Sequence, residues 1–430
     1  MIHDAACFAA LAPVAGAVER HGIFYTSAHW TPDALGALAT HLDTTGRTAL
    51  AAVPGRHLFD AWCTTVEMFS DPASAESEAI RPALARFTGL SAPGLAAALD
   101  AVLGGVARSS AKALFAAAQQ APATDSPASS LVAVFLASNL PALAVQSLLP
   151  ALVLKRPILL KSPTQEPLFT PAFVRALCRI APELEPAVAA VTWSGGNAAL
   201  EGPILDRAQT VLAYGETASI ASVASRTRGE CVSYGPKASI AIVDADADPA
   251  GVACGLARDI ALFDQRGCLS IQAVYTDGDA QTLAQALDLA LAELAQRWPP
   301  GPLDPTAVAG VQQLRLDARL RGLYQSDQAI ATGTVVVEPV PGFQPSPGLR
   351  SVRVHPSNLD RIVPLLASWR GRLQGAALAG EGAWALAPGL AELGVSRCAV
   401  PGQLQVPDAL WHNGGIHPLE ALGRGSSEGR

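Results

Sequence analysis

The rhythm of apolar positions changes near residue 130. Before it, 33–42, 73–87 and 93–120 carry apolar residues at helical spacing, with Gly and Pro between them. After it come short apolar runs of strand length at 131–137, 157–161, 187–193, 209–214 and 239–243. Helical patterns fill the intervals, at 141–152, 167–178, 198–208, 216–225 and 249–260. Alternating strand and helix predicts a parallel α/β sheet with right-handed crossovers. The unbroken apolar strands agree, because a sheet covered on both faces needs no polar alternation. A second block follows: strand 269–275, helix 279–297, a hard break at 298–305 (WPPGPLDP) and strands 335–338 and 351–354. A strand–helix–strand unit over 373–378, 382–393 and 395–400 completes it. The chain reads as two α/β domains.

The run 131–154 carries no charge and is long enough to span a bilayer. Asn139, Pro141 and Pro150 interrupt it and Gln146 sits within it, so a buried strand, a turn and a buried helix are expected, with no membrane span. The apolar start, 5–18, lacks the Lys or Arg that precedes a secretory core; it is expected to be a helix packed on the body. Residues 122–130 read as a loop, and the tail after Gly423 as disordered.

Composition narrows the class. The 430 residues are 50% hydrophobic and 16% charged, which excludes a disordered chain. A net charge of −7 leaves no excess of cations to neutralise phosphates, so no nucleic-acid partner is expected. The seven cysteines are scattered and include no C-x-x-C pair, which points to a reduced, cytoplasmic setting.

Candidate chemistry lies mostly at strand ends. Cys268, in FDQRGC, follows a helix and precedes a strand; Gly267 permits close approach, and Arg266 is a cation that would favour a thiolate. Alone, the cysteine reads first as a small core residue. Asn139 follows a strand directly, where an amide faces the crevice of α/β proteins and can donate to an oxyanion. It reads equally well as the cap of the next helix. Three strand-end turns suit a nucleotide: Lys161-Ser162-Pro163-Thr164, Trp193-Ser194-Gly195-Gly196-Asn197 and Tyr214-Gly215-Glu216-Thr217. None is G-x-G-x-x-G, and ordinary turns explain each. Lys237 reads as a turn lysine. The two histidines of WHNGGIH, His412 and His417, are not at helical metal-binding spacing and read as part of a structural turn.

The order of these features is more specific than any one of them. From 131 to 275 it resembles the aldehyde dehydrogenase superfamily. Within it, ASNLPALAVQSLLPALVLKRPILLKSPTQEPLF, VTWSGGN, RDIALFDQRGCLSIQ and the ending GVSRCAVPG…LWHNGGIHPLEAL resemble the acyl-CoA reductase (LuxC-like) family, over roughly 50–422. The resemblance implies two parallel-sheet α/β domains with an oligomerisation segment. N-terminal helices and a dinucleotide-binding domain would span 1–245, a catalytic cysteine domain 246–400, and a C-terminal segment 401–430 would return to the cofactor domain or an oligomer interface. It implies Cys268 as nucleophile and Asn139 as oxyanion donor with the Cys268 backbone N–H. It implies Lys161, Ser162, Thr164, Gly195, Gly196, Gly215, Glu216 and Thr217 as cofactor-binding positions, with no metal.

Two departures carry information. Oxidising relatives place a glutamate, which activates water, in E-L-G-G-K; here the matching position is Ser233 in S-Y-G-P-K, and a serine is a poor base. Members that prefer NAD often carry a glutamate where this chain has Thr164, which does not repel a 2′-phosphate. The expectation is NADPH-dependent reduction of an acyl-CoA or acyl-protein thioester to the aldehyde through an acyl-cysteine. The enzyme would be a homo-oligomer working beside an acyl-protein synthetase or acyltransferase. Alternatives are an aldehyde dehydrogenase or acyl-phosphate reductase of the same fold, or a non-catalytic scaffold in an acyl-transfer complex.

Overall fold

The computed structural model describes residues 3–8, 15–120 and 130–422. The chain opens with a small sheet of β1 (His3–Asp4), β2 (Ala15–Arg20) and β3 (Ile23–Ala28), in the order β1-β3-β2. A helix is expected over 5–18, but Ala15–Arg20 is a strand. Its side chains alternate in exposure, and His21 (φ 53°) and Gly22 (φ 70°) turn the chain back into β3. Residues 5–8 are not helical either, Cys7 being bridged to Ala190; 9–14 lies outside the described residues, as do most of the expected loop 122–130 and the tail. Helices Pro32–His41, Gly55–Ser70, Ala75–Thr88, Ala92–Gly105 and Arg108–Gln119 follow. The expected helix 93–120 is broken near Val106. There Gly105 packs so tightly that a Cβ would lie 2.2 Å from the Pro407 carbonyl oxygen.

The first large sheet holds β4 (Val132–Phe135), β5 (Ile158–Ser162), β6 (Val188–Thr192), β7 (Thr210–Tyr214) and β8 (Glu230–Tyr234). Its order is β6-β5-β4-β7-β8, and every pair is parallel. This is the doubly wound arrangement, whose ligand crevice opens at the C-terminal ends of the strands where the order reverses. The reversal falls at β4, and Asn139 follows it. The apolar run 131–154 is strand, turn and helix (Ala144–Val153), as expected. No single helix among the described residues is long and apolar enough to cross a membrane. β8 has no counterpart in the sequence reading: it is an edge strand with two exposed positions, so its apolar run is broken.

The second sheet holds β9 (Ala238–Val243), β10 (Ile271–Thr276), β11 (Thr334–Val337), β12 (Ser351–Pro356), β13 (Leu373–Ala379) and β14 (Arg397–Ala399). Its order is β11-β12-β10-β9-β13-β14, again all parallel. β9 lies before the boundary expected at 245/246, yet it pairs with β10 and β13, so the change of sheet falls at Gly235-Pro236-Lys237. Helices Pro305–Leu320 and Leu359–Leu365 also escape the sequence reading, and the expected helix 382–393 is two short ones, Glu381–Ala385 and Ala387–Glu392. After β14 the chain returns to the first layer. Ala409 N–H donates to Ser110 Oγ at 2.7 Å, and Leu419, Ala421 and Leu422 are buried in the core beneath the first sheet.

Candidate active site

Cys268 is presented by a loop of unusual backbone. After helix Pro249–Ala261 the chain passes through Phe263, Asp264 and Gln265 with φ of 58°, 49° and 63°. Left-handed non-glycine backbone costs about 1–3 kcal/mol per residue and persists only where the surroundings over-determine it. They do so here. Gln265 Nε2 donates to the carbonyls of Ile271 and Ser351 at 2.8 and 2.7 Å, and its Oε1 accepts from Ser351 N–H at 3.0 Å. Asp264 Oδ1 accepts from Arg350 Nε and Nη2 at 3.1 and 2.6 Å, and its Oδ2 from Gly301 N–H at 3.0 Å. Arg266 donates through Nη1 to the Thr88 carbonyl at 2.8 Å, which ties the loop to the end of helix Ala75–Thr88. Gly267 is closely packed: a Cβ there would lie 2.8 Å from Gln405 Oε1 and would displace that side chain.

Asn139 meets this loop from the other sheet: its Nδ2 donates to the Arg266 carbonyl at 3.0 Å, two residues before Cys268. An amide nitrogen has two hydrogens, so this bond fixes the group while using one of them. The structure thus brings together two residues 129 positions apart in the chain. Burial pushes the Cys268 thiol up to about 11; its own N–H, that of Leu269 and the Lys237 ammonium offset part of this. Lys237, which the sequence reads as a turn residue, thus lies within electrostatic range of the thiol. Ser233 is exposed on β8, its Oγ 4.0 Å from Cys231 Sγ.

The expected nucleotide residues gather at the C-terminal edge of the first sheet. Lys161 is 7% exposed, its Nζ 5.9 Å from the centre of the Trp193 ring, and burial pulls its pKa down. Ser162 Oγ and Trp193 Nε1 are buried with no hydrogen-bond partner. A Cβ on Gly195 would meet only Lys161 Nζ, at 4.0 Å, while one on Gly196 (φ 80°) or Gly215 (φ 147°) would meet nothing within 4 Å. Glu216 precedes helix Thr217–Ala224 without a side-chain capping bond, which leaves the helix's first N–H groups for another acceptor. Thr164 stands in the loop after β5. Open glycine turns, unpaired buried donors and an ammonium fit a dinucleotide.

Under the first sheet lies a narrow, mostly apolar cavity with room for about 50 Å³. Its lining includes Trp62, Leu114, Val145, Leu149, Leu212 and Ile416. Tyr214 and Tyr234, stacked at 4.5 Å, also line it, and Tyr214 is close enough to feel charge on Cys268. The turn carrying His412 and His417 closes over this end. A Cβ on Gly414 would lie 3.8 Å from the Tyr234 ring and 3.9 Å from Lys237 Nζ, and Asn413 Oδ1 accepts from Gln374 Nε2 at 2.8 Å. Sequence reasoning missed the roles of Trp62, Tyr234 and this turn, because no local signal marks residues that meet only in the folded chain.

The fold and site define an α/β protein of the aldehyde dehydrogenase architecture. Aldehyde dehydrogenase 21 from Physcomitrella patens, in complex with succinate, superposes with a TM-score of 0.76 over 98% of this chain and 96% of its own, at 13% identity. The NADP-dependent glyceraldehyde-3-phosphate dehydrogenase of Bacillus halodurans, complexed with NADP, gives 0.68 over 90% and 87%, also at 13% identity. Within that architecture the chain belongs to the acyl-CoA reductase (LuxC) family, which matches residues 114–425. It is similar to the long-chain acyl-protein thioester reductase of Aliivibrio fischeri, 27% identical over 54% of this chain and 50% of that protein. The corresponding reductase 2 of Photobacterium leiognathi is 30% identical over 38% and 34%. The chain spans half or less of the length of these two relatives.

Proposed function

We propose that this protein reduces a fatty acyl thioester, carried on coenzyme A or on a protein, to the aldehyde with NADPH, through an acyl-cysteine at Cys268. The observation that carries the reading is the Asn139 amide held on the Arg266 carbonyl, two residues from Cys268, with Lys237 in electrostatic range of the thiol. Lys237 and two backbone N–H groups favour the thiolate against the burial that opposes it. The Cys268 sulfur bonds to the acyl carbon, and the carbonyl electron pair moves to oxygen. That oxyanion takes the second hydrogen of the Asn139 amide and the Cys268 N–H. Collapse breaks the bond to the carrier sulfur, which leaves as a thiolate, and the acyl group stays on Cys268 as a thioester of similar energy. Bound NADPH, held by Lys161, Ser162, Thr164 and the turns at Gly195, Gly196, Gly215, Glu216 and Thr217, would supply the hydride. Asn139 then serves the second collapse, which returns the Cys268 thiolate and frees the aldehyde. Ser233, where oxidising relatives hold a base for water, leaves hydrolysis without general-base help, so reduction is favoured over acid release.

The test is mass spectrometry of protein incubated with a long-chain acyl-CoA and no NADPH. One acyl group is expected on the Cys268 peptide and none in Cys268→Ala. Acylation of another cysteine, with Cys268→Ala still active, would sink the assignment.

A further inference from the structure

We propose that Arg20, on the N-terminal hairpin, is the second cation of the coenzyme site and binds the 2′-phosphate that distinguishes NADPH from NADH. This rests on the NADPH reading above. In doubly wound sheets the segment after the second strand takes the adenosine ribose, and an arginine nearby accommodates a 2′-phosphate. The second strand of this sheet in chain order is β5, and its loop, Pro163-Thr164-Gln165, contains no arginine. Arg20 reaches that loop from 144 residues away: its Nη1 donates to the Thr164 carbonyl at 2.5 Å.

The hairpin is fastened where this requires it. Cys7 exchanges two backbone hydrogen bonds with Ala190 of β6, at 2.9 and 2.7 Å, so the small sheet docks on the edge of the large one. The His21 and Tyr25 rings pack edge-on against Phe87, at 5.6 and 5.8 Å, which anchors the tip beside Arg20. Arg20 is itself half-buried, and the group its side chain donates to is a backbone carbonyl, not a carboxylate. The nearby acids are engaged elsewhere. Glu166 accepts the N–H groups of Leu168 and Phe169, Glu201 pairs with Arg226, and Glu19 lies on the exposed face of β2. A guanidinium has five N–H donors, and the Thr164 carbonyl uses one. The remaining donors suit the planar, paired recognition of phosphate oxygens that Arg provides, while Lys161 contributes a point charge from the end of β5. The 2′-hydroxyl of NADH offers no charge for either.

The test reads binding, not turnover. NADPH, NADH and adenosine 2′,5′-bisphosphate are titrated calorimetrically into the full chain without acyl substrate, using wild type, Arg20→Gln and Arg20→Lys. Loss of one charge-assisted contact should weaken NADPH and the bisphosphate by ~10–100-fold in Arg20→Gln. NADH should change less than about twofold, and Arg20→Lys should recover part of the loss because the charge is kept. Equal weakening of NADPH and NADH would mean that Arg20 only props the Thr164 loop, and overturns the proposal, as would unchanged NADPH binding. A wild type that binds NADH at least as tightly as NADPH overturns the coenzyme reading itself. A wild type that prefers NADPH, with the preference intact in Arg20→Gln, overturns Arg20 alone.

Discussion

Asp264→Asn tests whether a buried ion pair maintains the loop that presents Cys268. The Arg350 side chain is 2% exposed and that of Asp264 16%. Arg350 gives two N–H bonds to Asp264 Oδ1 and a third, through Nη1, to the Trp298 carbonyl at 2.9 Å. Asparagine adopts the left-handed φ of position 264 at least as readily as aspartate, so the substitution adds no backbone strain. What changes is charge: Arg350 is left enclosed without its counter-ion, and one acceptor becomes an NH₂ group facing either Arg350 or the Gly301 N–H. Removing one partner of a buried pair costs about 3–5 kcal/mol. At a factor of ten per ~1.4 kcal/mol, that shifts the loop's equilibrium by more than ~100-fold. Urea unfolding should show the loss as a lower midpoint. Acylation of Cys268 by acyl-CoA should slow, while NADPH binding at the edge of the other sheet stays within about twofold. Adding Arg350→Met removes the stranded charge, and the double variant should recover part of the stability, the non-additivity that a direct pair requires. A single variant destabilised by less than about 1 kcal/mol with normal acylation would refute the reasoning, as would a double variant that shows simple additivity.

Burial raises the Cys268 thiol to about 11, and only the thiolate reacts. Alkylation by iodoacetamide in the ligand-free protein should therefore climb about tenfold per pH unit from pH 7 to 10; levelling off near pH 8.5, where an ordinary thiol titrates, would contradict the burial argument. Lys237→Met removes a charge that favours the thiolate, so alkylation at a given pH should be slower still, and a faster rate would remove Lys237 from the site. Ser233→Glu should increase free acid released from acyl-CoA, since general-base help is worth ~10²–10⁴-fold; release equal to wild type would show that side chain 233 does not reach the acyl-cysteine.

Much of this protein is legible along the chain. The parallel strands β4, β5, β6, β7 and β9 are short apolar runs set off by Gly, Pro and polar turns. Both the burial of such a strand and the turn that ends it are written within about ten residues. Asn139, Lys161 and the glycine turns stand at the ends of these strands, where the topology opens a crevice, and Cys268 stands just ahead of β10. The positions therefore follow from the alternation of strand and helix. β8 is different: as an edge strand it needs only one buried face, and its sequence does not announce it. The tertiary structure alone decides the rest. Arg20 beside Thr164, Asn139 on the Arg266 carbonyl, Asp264 paired with Arg350, and the 411–417 turn over Tyr234 and Lys237 join segments between 86 and 180 residues apart. Arg20, Asp264 and Arg350 carry no mark in the sequence, and Asn139 is marked there without its partner. Burial and a counterpart at hydrogen-bond distance give each its role, and both arise only when distant segments pack together.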